Sequence, residues 1–277
     1  MRDWSPSRRG PSSVAATEAH TGHMAGPLLP TLLLLLLSLA PGSAGHEAHG
    51  NGERIVNGAT CPRGSHPWQV ALMRGRDTQC AGVLIREQWV LTVGHCRQLA
   101  YNVQMGSDVL NDPNAQVIRA TESFVHPQFD GAKKVHDIML VKLSRPATLS
   151  PTVRTLAVSS KCTSPGTMCM VSGWGSTTGR PFETYPSELM CTNVTIIRLE
   201  DCRRHFLYLK RPYMVCGGTH NSNTNANVGD SGGPLVCNGA LRGLVSRGPS
   251  TPSLNPVVFT AICRYSEWIE DTIRRYS

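Results

Sequence analysis

The chain has 277 residues, 40% of them hydrophobic and 17% charged, with a formal net charge of +8 at pH 7. That length allows one large or two small domains. The first 54 residues hold four arginines and four acidic residues, so the positive charge belongs to the remainder; no nucleic-acid motif accompanies it, and we expect no nucleic-acid partner.

Residues 1–23 are polar and rich in Ser, Pro and Arg without a period, and no fold is expected there. Met24 opens a better start. An apolar run from Leu28 to Ala40 has the length of a signal-peptide core and is short of a membrane span, and small residues follow at Gly42, Ser43, Ala44 and Gly45. Residues 24–45 therefore read as a signal peptide, with Met24 as the working initiator or residues 1–23 as the product of an alternative transcript; an uncleaved signal anchor is the other reading. Residues 46–54 read as a short polar propeptide ending at Arg54, and residues 55–277 as the folded domain. The product is expected to be secreted and extracellular, with no membrane span.

From residue 55 onward, short apolar runs alternate with Gly, Pro, Asn and Asp. Gln69 to Leu72, Val83 to Ile85, Trp89 to Thr92, Ile138 to Leu143, Met168 to Val171 and Val194 to Ile197 read as strands of an all-β barrel protein rather than βαβ units. Leu235 to Cys237 and Leu241 to Ser246 read as two further buried strands joined through Asn238-Gly239. One helix is expected near the C-terminus. Ser266 can cap it, Trp268, Ile269, Thr272, Ile273 and Tyr276 mark one face, and acids precede arginines along it, as the helix dipole favours.

The ten cysteines all lie after Ile55, an even number behind a signal peptide, which points to disulfides in an oxidising compartment. A metal cluster is a poor fit, since the cysteines are scattered and no Cys-x-x-Cys pair occurs. Asn193-Val194-Thr195 is the one glycosylation sequon. Arg203-Arg204-His205 and Lys210-Arg211 form a basic neighbourhood that is either a solvated face or a site for heparin-like polyanions.

The stretch Gly229-Asp230-Ser231-Gly232-Gly233-Pro234 carries the chemistry. Glycines around a serine suit a tight loop that a substrate backbone can approach. A serine hydroxyl needs a base to become a nucleophile. His95, after an apolar run and before Cys96, offers one, and Asp137, at the mouth of another apolar strand, can orient it. Singly, each residue has a plain structural reading as a turn, a structural histidine or a cap.

Together, and with Cys61 to Leu72, Ser172-Gly173-Trp174-Gly175 and Pro186 to Cys191, these residues make Ile55 to about Arg275 resemble the trypsin-like serine proteases, and among them the tissue kallikreins. The resemblance implies two six-stranded Greek-key β-barrels packed together with a C-terminal helix, the active site lying in the crevice between them. It implies catalysis by His95, Asp137 and Ser231, and an oxyanion hole from the amides of Gly229 and Ser231. It also implies activation by a trypsin-like protease at Arg54-Ile55, after which the Ile55 amine pairs with Asp230. The implied disulfides are Cys61–Cys191, Cys80–Cys96, Cys162–Cys263, Cys169–Cys237 and Cys202–Cys216. Expected partners are polypeptide substrates and protein protease inhibitors, acting on a monomer that uses no metal or other cofactor.

The resemblance also assigns the pocket for the side chain before the cut to Asn225, Ser246, Arg247, Gly248 and Val257. Asn225 stands where a trypsin-type enzyme has Asp, so a basic side chain would be buried unpaired; a chymotryptic kallikrein is similar in having Asn there. Four departures bear on that pocket: Asn227 where a cysteine is usual, with its partner cysteine missing as well, Arg247 for tryptophan, Val257 for glycine and Phe259 for a usual tyrosine. The expectation is a serine endopeptidase with a neutral, shallow, apolar pocket and reduced rate. The alternative is a basic, secreted, protease-like binding protein with an intact triad but a pocket that no longer admits substrate.

Overall fold

The computed structural model describes residues 59–176, 185–218, 230–248 and 256–277. Arg54, Ile55, Asn225, Asn227 and Gly229 lie outside them.

Six strands close the first barrel: β2 (Gln69–Arg74), β3 (Asp77–Arg86), β4 (Trp89–Thr92), β5 (Asn102–Met105), β6 (Gln116–Val125) and β7 (Met139–Leu143). They follow the order β2-β3-β4-β7-β6-β5, and β5 pairs back onto β2. The second barrel is β8 (Met168–Gly173), β9 (Met190–Ile197), β10 (Met214–Gly218), β11 (Pro234–Cys237), β12 (Ala240–Arg247) and β13 (Val257–Ala261). Its order is β9-β10-β13-β12-β11-β8, closed by β8 on β9, with the short β1 (Ala59–Thr60) added at β9. Closure removes exposed sheet edges, which is how an all-β chain protects its backbone donors and acceptors.

The first barrel is filled by residues such as Val70, Leu84, Leu91, Met105, Ile118 and Leu140, all essentially inaccessible. The same apolar cluster continues into Leu241 and Leu244 of β12 and into Ile262, Tyr265 and Ile269, so the barrels share a dry interface. The second barrel has its own core around Val171, Val194, Leu235, Val245, Val257 and Phe259. The β11–β12 hairpin turns on Asn238 and Gly239, both at positive φ (52° and 72°), the conformation that a two-residue turn between twisted strands requires.

Five disulfides join Cys61 to Cys191, Cys80 to Cys96, Cys162 to Cys263, Cys169 to Cys237 and Cys202 to Cys216, leaving no free thiol. Each native bridge of this kind typically contributes about 2–5 kcal/mol.

A single-turn helix, α1 (Leu199–Cys202), precedes β10, and the terminal helix α2 spans Ser266–Tyr276. Ser266 is the first residue of α2 rather than its cap; Tyr265 holds the cap position without a side-chain bond. A 3-10 turn at Ile262–Arg264 runs straight into the helix, and the Tyr265 carbonyl takes the first helical bond from the Ile269 amide. The apolar face otherwise falls as the spacing requires, with Ile269 and Thr272 buried and the Tyr276 ring tilted against Phe124 at 4.3 Å. Among the described residues no helix is long and apolar enough to cross a membrane.

Candidate active site

His95 comes from the first barrel. β4 ends at Thr92, and a 3-10 turn, Gly94–Cys96, swings the imidazole to the barrel rim, where the Cys80–Cys96 bridge fastens it to β3. Asp137 enters just ahead of β7. Its carboxylate is almost wholly buried yet well supplied with donors. The His95 amide donates to Oδ1 at 3.0 Å, and Oδ2 lies 2.8 Å from His95 Nδ1. The Ser246 hydroxyl also donates to Oδ2, at 2.6 Å. These donors satisfy a carboxylate that is almost wholly removed from water.

Ser231 comes from the second barrel. Its Oγ lies 2.9 Å from His95 Nε2, completing a hydrogen-bonded row from Asp137 through His95 to Ser231. The loop that carries it is pinned on both sides. The Ala81 amide of β3 donates to the Ser231 carbonyl at 2.8 Å, and the Gly232 amide donates to Val245 of β12 at 2.8 Å. Gly232 has φ +82°, and a Cβ there would sit 2.2 Å from the Ala81 carbonyl oxygen. Only glycine fits so close a backbone approach.

Asp230 is fully buried. Its Oδ1 accepts the Gly175 amide at 2.8 Å, and a Cβ on Gly175 would fall 2.4 Å from its carboxyl carbon. The Ser172-Gly173-Trp174-Gly175 segment is thus the seat in which this carboxylate rests.

Several residues do something the sequence did not announce. Ser246, expected to line the substrate pocket, spends its hydroxyl on Asp137. A bulge between Val245 and Arg247 takes Ser246 out of the β12–β13 register. Arg247 does not stand as a bare pocket wall. It donates to the Lys133 carbonyl and lies over the Phe206 ring at 5.8 Å. Val257 is fully buried among Val245, Phe259 and their neighbours, while Gly248 is half-buried just past β12. Asn193 is exposed on β9.

Lys134 was invisible as a site residue in the sequence. Its ammonium lies 3.4 Å from His95 Nε2 and 3.1 Å from the Ser246 carbonyl, and partial burial holds its pKa below that of an ordinary lysine, against the pull of Asp137. Two non-glycine residues in this short segment, Lys134 and His136, have positive φ, at 49° and 53°. Strained backbone of this kind gathers at functional sites.

An activated serine, a base beside it and a buried acid behind the base can perform acyl transfer. The comparisons agree with that chemistry. The family described as Trypsin matches residues 55–269, and the chain belongs to it: it is a serine endopeptidase of the trypsin type. Within that family its similarity is to the kallikreins. It is 49% identical to human Kallikrein-7 over 255 residues, covering 91% of this chain and all of that protein. Human Kallikrein-11 is 39% identical over 284 residues, covering 99% of this chain and 97% of its own length. Among solved structures, mouse-brain neuropsin, titled a serine protease, superposes with a TM-score of 0.74 at 38% identity, over 78% of this chain and 98% of its own.

Proposed function

We propose that the chain is secreted as a precursor, cut after Arg54 by a trypsin-like protease, and then hydrolyses peptide bonds through an acyl-enzyme on Ser231. The observation that carries this reading is the continuous row Asp137–His95–Ser231, with links of 2.8 and 2.9 Å and the acid buried. His95 Nε2 takes the Ser231 proton as Oγ attacks the peptide carbonyl, then returns a proton to the leaving amine. Asp137 keeps the Nδ1–H tautomer and stabilises the imidazolium that forms. The amides of Ser231 and Gly229 receive the oxyanion; one such donor is worth roughly 3 kcal/mol in related enzymes. The freed Ile55 amine pairs with Asp230 in its glycine-walled seat, since a buried carboxylate needs a cation or a full set of donors.

The primary pocket in this reading is neutral and shallow. Asn225 supplies no charge to its floor, and the buried Val257 takes up space that glycine would leave. The preferred residue before the cut is medium-sized and apolar. The exposed Arg203, Arg204, His205 and Lys210, in the loop closed by Cys202–Cys216, form a secondary surface for polyanions.

The test is to cleave the full precursor after Arg54, label it with a fluorophosphonate and profile peptides varied at the residue before the scissile bond. Labelling at Ser231 with cleavage after apolar residues is expected. Strong cleavage after Arg or Lys would overturn the pocket assignment, and labelling without hydrolysis would reveal a pocket closed to substrate.

A further inference from the structure

The cation beside the proposed base has no role in peptide hydrolysis as derived above. Lys134 leaves a tight turn in which the Asp130 carboxylate accepts the amides of Ala132 and Lys133, and the Asp130 amide donates to the Val135 carbonyl. That turn, and the left-handed backbone at Lys134, aim the side chain at the reacting groups. Its ammonium touches one of them, His95 Nε2, and also the Ser246 carbonyl at the bulge in β12. Among the described residues no carboxylate lies within ion-pairing distance of this ammonium; Asp137, whose charge acts on it, is already engaged by His95 and Ser246. Arg247 adds a second positive charge nearby, its guanidinium fixed on the Lys133 carbonyl.

The contact with His95 opposes the reaction on a neutral substrate in two ways. Neutral His95 has one lone pair at Nε2, and the Ser231 hydroxyl and the Lys134 ammonium both approach it. The imidazolium formed during attack would then lie against a like charge. A substrate that brings its own carboxylate relieves both, by drawing the ammonium away and neutralising it.

Resting on the peptidase reading above, we propose that Lys134 makes this enzyme select substrates with an Asp or Glu side chain within two residues of the scissile bond. The carboxylate pairs with the ammonium and lifts it from His95 and Ser246. The reach follows from the geometry. The ammonium is at most two hydrogen-bond lengths from the Ser231 oxygen, through His95 Nε2, and an extended peptide advances ~3.3 Å per residue.

The test uses the full chain cut after Arg54 and a set of otherwise neutral peptides, each with a single Glu or Gln at one of the two positions on either side of the scissile bond. At one position, kcat/KM for the Glu peptide should exceed that for Gln by about tenfold at low salt, the ratio expected of one charge-assisted hydrogen bond, and the excess should shrink as salt rises. Lys134→Gln should abolish the excess while raising kcat on the Gln peptides; Lys134→Arg should retain the excess. Fluorophosphonate labelling of each variant reports that its site is assembled. Equal rates for Glu and Gln at every position, or an excess that survives Lys134→Gln, would overturn the inference. If the processed protein neither reacts with the fluorophosphonate nor cuts any peptide, it is the peptidase reading that fails, and the inference falls with it.

Discussion

The two barrels face one cleft but contribute to it in different ways. The first supplies His95 and Asp137 from strand ends within a dry core, and it fixes them with backbone as well as side-chain bonds. The second supplies Ser231 and, in the reading proposed above, the wall that meets substrate. There backbone bonds from Ala81 to Ser231 and from Gly232 to Val245 hold the Ser231 turn, while the neighbouring side chains are engaged elsewhere: Arg247 bound to Lys133 and over Phe206, Val257 turned into the core, and Ser246 diverted to Asp137. The chemistry depends on backbone positions that tolerate almost no change. Recognition depends on side chains, so a chain can keep the first and rewrite the second.

The strongest way to break the first half of that contrast is Asp137→Asn. Three donors converge on this carboxylate: the His95 amide, His95 Nδ1 and the Ser246 hydroxyl. An amide can accept at only one of its two atoms, so at least one donor is left facing an N–H. We expect kcat to fall about ten-thousandfold, as the equivalent change does in a related protease, with thermal unfolding little changed. A fall of less than tenfold would show that Asp137 does not hold the imidazole.

The second half is sharpened by Val257→Gly. The valine is buried in the second barrel's core and, in the proposed reading, backs the pocket, so its removal should both lower stability, by about 3 kcal/mol, and deepen the slot. The ratio of kcat/KM for Phe over Val before the scissile bond should rise at least ~10-fold, since one or two methylenes of added room carry that much discrimination. An unchanged ratio, in a variant whose melting temperature has dropped, would leave Val257 as core packing alone.

The same contrast explains what could be read from the sequence. Ser231, His95 and Asp137 were legible because each sits where an apolar run ends or glycines cluster. Strands such as β4 and β7 were legible because burial on both faces leaves continuous apolar runs. β6 was not: apart from the buried Ile118 its residues alternate irregularly between exposed and half-buried, and Arg119, Thr121 and Glu122 interrupt any apolar period. The start of α2 was misplaced by one residue because a preceding 3-10 turn, which no residue type signals, leaves no open cap. Lys134 and the hydroxyl of Ser246 could not have been found. What makes them part of the site is a left-handed backbone in one case and a bulge in the other, and both arise only when the barrels are assembled.

Behind Asp137 the first barrel also holds a histidine pair that does no chemistry, and this gives the smallest effect. His126 and His136 stack at 5.1 Å, enclosed by Tyr213, Tyr265 and Trp268. Burial, above all, holds both pKa values below that of a free histidine, with the charge of His136 adding to the effect on His126 and that of Lys210 to the effect on His136. Their neutral forms are also used: the Gln128 amide donates to His126 Nδ1 at 3.2 Å, and Tyr265 Oη lies 3.3 Å from His136 Nδ1. Below about pH 6.5 the unfolded chain therefore binds protons that the folded chain refuses, and stability must fall as the pH drops through that value towards the lower folded pKa values. We expect the melting temperature to decline by about a few degrees between pH 7 and pH 5. His126→Phe, which keeps the stack but cannot be charged, should flatten that decline; a variant as acid-sensitive as the parent would mean that the loss of stability arises elsewhere.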